Sequence, residues 1–331
     1  MEGRTVARDA NVDIARGLAI FYIVAVWHGN DYFGALWKNP ATRLLCSCAM
    51  GYFFCVSAAL VSRKQEPFRR LADVKAFLKR RFRVYPEYLF ALVLFWSLGL
   101  VNAKAALLGT LALNPLVGVP LRTLWFIAAL FLFQAAVPAL LWRNGSRGGI
   151  LSRALLVFAA LLVPHLLFGA VDARMLRYWP VFVAGLVLNR DGGELRLPPV
   201  WTAVPALVCA VVEIGGFAGP AEWIVPVRDA FYAFAGASLL PWIARAIRPE
   251  PVRAALAKFG LVSSGVYLYH RVAIDLGLRI LPTDALPFPA ALLWVVLLGV
   301  GFSALFGVGA ARLRAALEGL VARRREWANR A

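Results

Sequence analysis

Residues 12–31 read VDIARGLAIFYIVAVWHGND, an apolar run with one arginine, Arg16, near its start and one histidine, His28, near its end. A run of about 20 apolar residues is what a helix needs to cross the hydrocarbon core of a bilayer. An ionisable side chain inside such a span is costly unless it is paired, so it marks a candidate functional site. Snorkelling at one interface would equally place Arg16, and residence at the other would place His28. Working outward, further apolar runs occupy 43–62, 84–102, 121–142, 150–168, 174–189, 199–217, 225–246, 260–281 and 288–310. With 61% hydrophobic and 16% charged residues, the composition excludes an ordinary soluble domain. The expectation is an all-α polytopic integral membrane protein with about ten transmembrane helices in one bundle. The runs leave no room for a separate soluble domain and show no repeat period, so residues 1–331 read as a single domain.

The formal net charge of +18 is not spread over a soluble surface, as nucleic-acid binding would require, but sits in alternate loops. With the N-terminus in the cytoplasm, the inner side receives Arg4, Arg8 and Arg16, the loop 63–83, the groups 143–153, 190–196 and 245–258, and the tail 312–331. Only Lys38, Arg43, Lys104, Arg122, Arg174, Arg177, Arg228, Arg271 and Arg279 fall elsewhere. That asymmetry follows the positive-inside rule and predicts a multi-pass protein of the inner (plasma) membrane with both termini cytoplasmic. A cleaved signal peptide is not expected, because bulky Val26 and Trp27 stand where small residues are needed. Cys46, Cys48, Cys55 and Cys209 lie inside apolar runs and read as packing residues rather than a disulfide framework. Three histidines without an acidic cluster predict no metal site.

Two further stretches carry chemistry. Residues 62–88, SRKQEPFRRLADVKAFLKRRFRVYPEY, read as an amphipathic interfacial helix whose last basic cluster, Lys79, Arg80, Arg81 and Arg83, runs into Pro86 and the third span. Arginine forks at the mouth of a span suit the phosphates of a cytosolic ligand. In residues 262–270, VSSGVYLYH, Ser263, Tyr267 and His270 share one helical stripe, which serves a site or a polar seam between helices equally well. Arg271, Asp275 and Arg279 follow at four-residue spacing and read as a self-neutralising ladder.

These motifs, taken in order, resemble the membrane acyltransferase family 3. The similar stretches are VDIARGLAIFYIVAVWH, MGYFFCVSAALVSRK, FLKRRFRVYPEY and VSSGVYLYH, with a weaker match at LWFIAALFLFQ (residues 124–134). The resemblance implies an O-acyltransferase that moves an acyl group, typically acetyl, from cytosolic acetyl-CoA to a hydroxyl of a glycan or glycosylated metabolite, with no permanently bound cofactor. It implies donor phosphates on Arg80, Arg83 and Arg16. Catalysis would fall to His28, with Arg16, Tyr267 and His270, and acceptor binding to Ser263 and Asp31. Direct transfer and a transient acyl-histidine both remain open. Two departures stand out. Eleven residues separate Arg16 from His28 where the family pattern has ten, and the acidic element some members carry after LWF is replaced by Leu130, Phe131 and Leu132. In a straight α-helix the extra residue turns His28 about 120° from Arg16, and a one-residue π-bulge would restore the alignment. A transporter or polysaccharide-export partner without acyl-transfer chemistry is the alternative, since buried Gln134, His165 and Glu213 would suit a permeation path.

Overall fold

A computed structural model describes residues 9–33, 39–63, 65–189, 199–214 and 224–309, with positions 312, 313, 316, 319 and 320 of the tail. The loop 190–196 and most of the tail 312–331 lie outside the described residues, as does the side chain of Glu213. Among the described residues the regular structure is helical, and the one β-type contact is an isolated bridge between Phe68 and Trp142.

The first element begins as α1, Ala10–Phe21, capped by the Asp9 side chain, and runs on through a π-helical segment, Tyr22–His28, into a 3-10 turn, Gly29–Tyr32. Helix α2, Pro40–Ser62, opens with a capping box in which Asn39 and Thr42 satisfy each other's backbone N–H, with Pro40 in its first turn. Then follow α3 (Leu71–Arg81), α4 (Tyr85–Ser97), α5 (Ala103–Thr110), α6 (Trp125–Leu140), α7 (Arg147–Phe168), α8 (Ala173–Leu188) and α9 (Pro199–Ile214). The chain continues as α10 (Ile224–Ala246), α11 (Glu250–Leu261), α12 (Ser263–Ile280) and α13 (Phe288–Val296), the last extended by a second π-helical segment, Leu297–Phe302.

Each apolar run expected from the sequence coincides with a helix, and among the described residues five elements are long and apolar enough by themselves to cross a membrane: Ala10–Tyr32, Pro40–Ser62, Arg122–Leu140, Arg147–Phe168 and Phe288–Gly309. Four of the other five fall short for definite reasons. Helices α8 and α9 have 16 residues and α4 has 13. Helix α12 carries Arg271, Asp275 and Arg279 within its 18 residues. The group 245–258, read as a loop, contains most of α11, which packs along α1. Glycine makes that seam possible. A Cβ on Gly17 would sit 2.2 Å from the Leu256 carbonyl oxygen, and one on Gly260 would sit 1.9 Å from that of Asp13. Close backbone approach through small residues is the usual means of packing helices where lipid supplies no hydrophobic drive.

The basic loop is held in place rather than draped. Phe77 is the buried residue of α3 and meets Phe68 edge-on at 5.2 Å, while the Phe68 backbone bonds to Leu141 O and Arg143 N beyond the end of α6. The start of α6, Trp125, lies about 24 Å away at the opposite end of that helix. Starts of α2, α6, α8 and α10 gather at that opposite end together with the end of the first element. The four cysteines are unbridged, and Cys48 Sγ contacts Tyr232 O at 3.1 Å.

Candidate active site

His28 ends the π-helical segment, which lies between it and Arg16. A one-residue bulge subtracts one position from the helical count, so the twelve-residue separation behaves as eleven and returns His28 to within about 20° of the face that carries Arg16. The π-helical segment thus supplies the bulge that would restore the alignment. It is braced by the second π segment: a Cβ on Gly299 would lie 2.8 Å from Val24 Cγ1 and 3.1 Å from Ile274 Cδ1, so both π segments and α12 meet at this level.

The His28 imidazole is largely enclosed. Its Nδ1 lies 2.9 Å from Arg271 Nη2 and 3.5 Å from Asp31 Oδ2, and Arg271 Nη2 also donates to Asp31 Oδ2. A guanidinium has no acceptor, so in this arrangement Nδ1 accepts and the ring proton resides on Nε2. His270 stacks on His28 with centroids 5.0 Å apart and planes 29° apart. It is fully buried, and its Nδ1 faces the carbonyls of Tyr267 at 2.8 Å and Val266 at 3.2 Å. Carbonyls only accept, which puts the His270 proton on Nδ1 and leaves Nε2 as a lone pair with no hydrogen-bond partner among the described residues.

A cavity of about 410 Å³ opens beside His28. Trp27, Trp125, Tyr178 and Tyr267 give it aromatic walls, and Arg43, Arg174, Arg177, Arg228 and Asp229 give it charge. Arg177 and Arg228 share Asp229, at 2.7 and 3.0 Å. Arg174 forms a bidentate pair with Asp172, the N-cap of α8, and lies 4.2 Å over the Trp125 ring. Burial alone would raise the Asp172 carboxyl, but the Arg174 hydrogen bonds and the charges of Arg174 and Arg177 outweigh it and hold the group below the usual carboxylate range.

Several sequence readings change in this light. Arg271 belongs to the His28 cluster, and Asp275 pairs with Arg279 at 2.9 Å, so the expected three-membered ladder is only a pair. Asp31 faces Arg271 and His28 before it faces any acceptor. The Tyr267 hydroxyl, expected as an oxyanion donor, donates instead to Thr123 O at 2.6 Å. Ser263 is buried at the start of α12, about 10 Å along that helix from His270, and its Oγ has no partner among the described residues. The structure thus joins His28, Asp31, Tyr267 and His270 and leaves Ser263 below them. His165 is structural: its Nδ1 contacts Val171 O at 2.6 Å.

The other end is different. Arg80 is exposed and reaches Gln65 Oε1 at 3.4 Å, and Arg83 is exposed too. Arg81 lies 5.6 Å over Phe77, where burial and then the neighbouring Arg80 charge lower its pKa. Arg16 lies 3.8 Å from Asp13. A cavity of about 330 Å³ near this motif is lined by Glu87, Ser264, Tyr269 and Arg312, and a small one of about 30 Å³ by Asp9, Arg63 and Arg245. Neither shares a lining residue with the His28 cavity, and Arg16, Arg80 and Arg83 line none of the three.

A family model described as an acyltransferase domain, acyltransferase family 3, matches residues 9–309 and so takes in both ends of the molecule. The chain belongs to acyltransferase family 3. Two curated relatives are similar over part of their length, both named undecaprenyl phosphate-alpha-4-amino-4-deoxy-L-arabinose arabinosyl transferase. The one from Pseudomonas aeruginosa strain UCBPP-PA14 is 28% identical over 183 residues, 55% of this chain and 31% of the relative. That from strain PAO1 is 29% identical over 188 residues, with the same shares of each chain. The chain thus spans about a third of the length of the curated relatives it matches. No solved structure matches it.

Of the arginines of the His28 cavity, Arg43, Arg174 and Arg177 escaped the sequence reading because their positions are scattered, and the Arg228–Asp229 pair reads from sequence as interfacial. One signal was available: each is an exception to the positive-inside pattern near the start of an apolar run.

Proposed function

We propose that this acyltransferase moves an acyl group, acetyl in the simplest case, from cytosolic acyl-CoA to a hydroxyl of a glycan or glycosylated metabolite at the opposite membrane face, and that His28 is the base. Family membership supports the reaction class, and the relatives, whose names specify a lipid-linked sugar, make a membrane-associated glycan a natural acceptor. The observation that carries the assignment of His28 is its packing against Arg271, Asp31 and His270 at the wall of a cavity large enough for a sugar.

In this reading the imidazole removes the acceptor hydroxyl's proton as the oxygen attacks the thioester carbonyl, and the thiol of CoA leaves. For His28 Nε2 to act, its proton must move to Nδ1 and be accepted by Asp31. Arg271 therefore has to yield Nδ1 while keeping its bond to Asp31. Arg271, released from the ring, becomes a donor for the developing oxyanion, a role the Tyr267 hydroxyl cannot fill while it serves Thr123 O. His270, through its unpaired Nε2, holds a hydroxyl of the acceptor. Donor phosphates dock on Arg80 and Arg83 in the cytosol, with Arg16 along the path of the extended arm.

The test is His28→Ala in the purified full-length protein, with CoA thiol release and acylated glycan by mass spectrometry as paired readouts. Turnover is expected to fall by about 10³-fold or more, within the range of a lost general base, while the thermal unfolding profile stays close to the parent's. Substantial remaining turnover would remove His28 from the chemistry.

A further inference from the structure

The His28 cavity is more cationic than a neutral sugar requires. We infer that the acceptor carries an anionic group, a phosphate or a carboxylate, which Arg43, Arg174, Arg177 and Arg228 seat so that a nearby hydroxyl lies beside His28. The inference rests on the proposed reaction and narrows its acceptor.

Charge balance is the first argument. Among the described residues, four guanidiniums and one carboxylate, that of Asp229, line the cavity. Asp229 is divided between Arg177 and Arg228, and Asp172 answers Arg174 from outside the lining. Among the described residues, four guanidiniums of the wall thus stand against these two aspartates. Arg177 Nε is buried without a hydrogen-bond partner among the described residues, a donor that a ligand oxygen would satisfy.

Position is the second. Arg43 is in the first turn of α2, Arg174 and Arg177 in the first two turns of α8, and Arg228 early in α10, and none of these helices has an acidic residue in its first turn. Helix starts carry partial positive charge and normally attract aspartate or glutamate, so arginine there runs against local preference. A bound anion would satisfy dipoles and guanidiniums together. Rule-breaking of this kind is expected at functional sites.

Topology is the third. Of the nine basic residues outside the cytoplasmic groups, four line this cavity and Arg271 adjoins it through His28. The face that the positive-inside rule keeps poor in cations has collected them at one spot. Trp125 and Tyr178, stacked at 5.7 Å, add flat apolar surface for a sugar ring beside the charge.

The anion has two possible sources: the phosphate of a lipid-linked sugar, or the carboxylate of an acidic sugar. Isothermal titration calorimetry of the full chain in nanodiscs, without acyl donor, separates them with four probes: glucose, glucose-1-phosphate, glucuronate and geranyl phosphate. At least one charged probe should bind about tenfold or more tightly than glucose, as hydrogen bonds to charged groups allow. Its advantage should shrink with added salt, fall in Arg43→Gln and return in Arg43→Lys. Arg43 is exposed, so its substitution leaves the fold intact, and Arg174→Gln provides a second variant. Tightest binding of geranyl phosphate supports the lipid phosphate, and tightest binding of glucuronate supports the acidic sugar. Glucose binding as tightly as every charged probe, or indifference to both arginine variants, overturns the inference. So does displacement of the probe by desulfo-CoA with the same dependence on Arg43, which would give the cavity to the donor. Undiminished transfer to a neutral glycan by Arg43→Gln breaks this inference and leaves the proposed reaction standing. Anion binding with no acyl transfer to any acceptor breaks the proposed reaction and, with it, the identity of the anion as acceptor.

Discussion

The end of the molecule that holds His28 and the end that holds residues 79–83 are built in opposite ways. At the first, most of the charged groups are fitted to neighbours: Arg271 to Asp31 and His28, Arg177 and Arg228 to Asp229, Arg174 to Asp172. Two π segments and a glycine brace the imidazole. At the second, Arg80 and Arg83 stand exposed on a short amphipathic helix anchored through Phe77 and Phe68. The difference follows from dielectric environment. Charges carried into a membrane interior must be paired before any ligand arrives, so their site is preformed. Ion pairs between charges that face water are worth little, so their arrangement can adjust to a mobile ligand. Chemistry that depends on a fixed geometry belongs to the first kind of site, and capture of a polyanion from solution belongs to the second.

The comparison breaks most readily at Arg271. Arg271→Ala leaves the Asp31 carboxylate without its closest cation and should cost about 3 kcal/mol or more of stability, together with most turnover. Thermal unfolding in detergent reads the first effect and thiol release the second. Adding Asp31→Asn to Arg271→Ala should recover stability without recovering activity. An Arg271→Ala protein that melts with the parent would show that the ion pair is not part of a preformed site. Next comes Gly17→Ala, which places a methyl group against the Leu256 carbonyl and forces α1 away from α11. About 1–3 kcal/mol of destabilisation is expected, as for other overpacked contacts. It should leave anion binding at the distant His28 cavity close to the parent's in the folded fraction. An unchanged melting profile would mean that the seam is looser than its backbone contacts indicate.

How much of this was legible in the sequence depends on the range over which each feature acts. The place where a π-bulge would matter was readable because helical phase is a local property, but whether the extra residue between Arg16 and His28 is absorbed that way was not. Helix α3 was readable from its amphipathic run of basic residues, and the histidine stripe of α12 from its spacing. Arg271 was misread for the same reason. Four-residue spacing to Asp275 describes neighbours on one helix, whereas its partners are 243 and 240 positions away on another element. Tyr267 pairs with a carbonyl 144 positions distant, which no spacing rule reaches. Apolar length alone does not decide the span number: among the described residues five elements are long and apolar enough to cross by themselves, whereas α12 carries three charges and α4, α8 and α9 are short for a lone crossing helix.

At the water-facing end the expected effect is smaller and of another kind. Arg80→Glu with Arg83→Glu should raise KM for acyl-CoA by about tenfold, the loss of one or two charge-assisted phosphate contacts, with kcat within about twofold and an unchanged melting profile. Equal losses in kcat and kcat/KM would instead give these arginines a part in the transition state and erase the contrast between the two ends.

The smallest effect lies in the acid limb of stability, where the two ends should again differ. Asp172 is held below the ordinary carboxylate range by Arg174 and Arg177 despite its burial, so the folded state binds its proton less readily than the unfolded chain does. A depressed carboxylate adds stability that is fully present above the unfolded value, about 3.9, and is lost as the pH falls from there through the lower folded value. In Asp172→Asn that contribution is absent at every pH, so the melting temperature should be lower than the parent's at neutral pH. The two curves should then converge below about pH 4. The Arg80→Glu, Arg83→Glu variant leaves Asp172 and its arginines in place, so it should lose this contribution over the same pH range as the parent. Parallel curves for Asp172→Asn and the parent down to the lowest measurable pH would mean that the Asp172–Arg174 pair gives no net stability to its end of the molecule. The preformed character of the His28 pole would then rest on Asp31 and Asp229 alone.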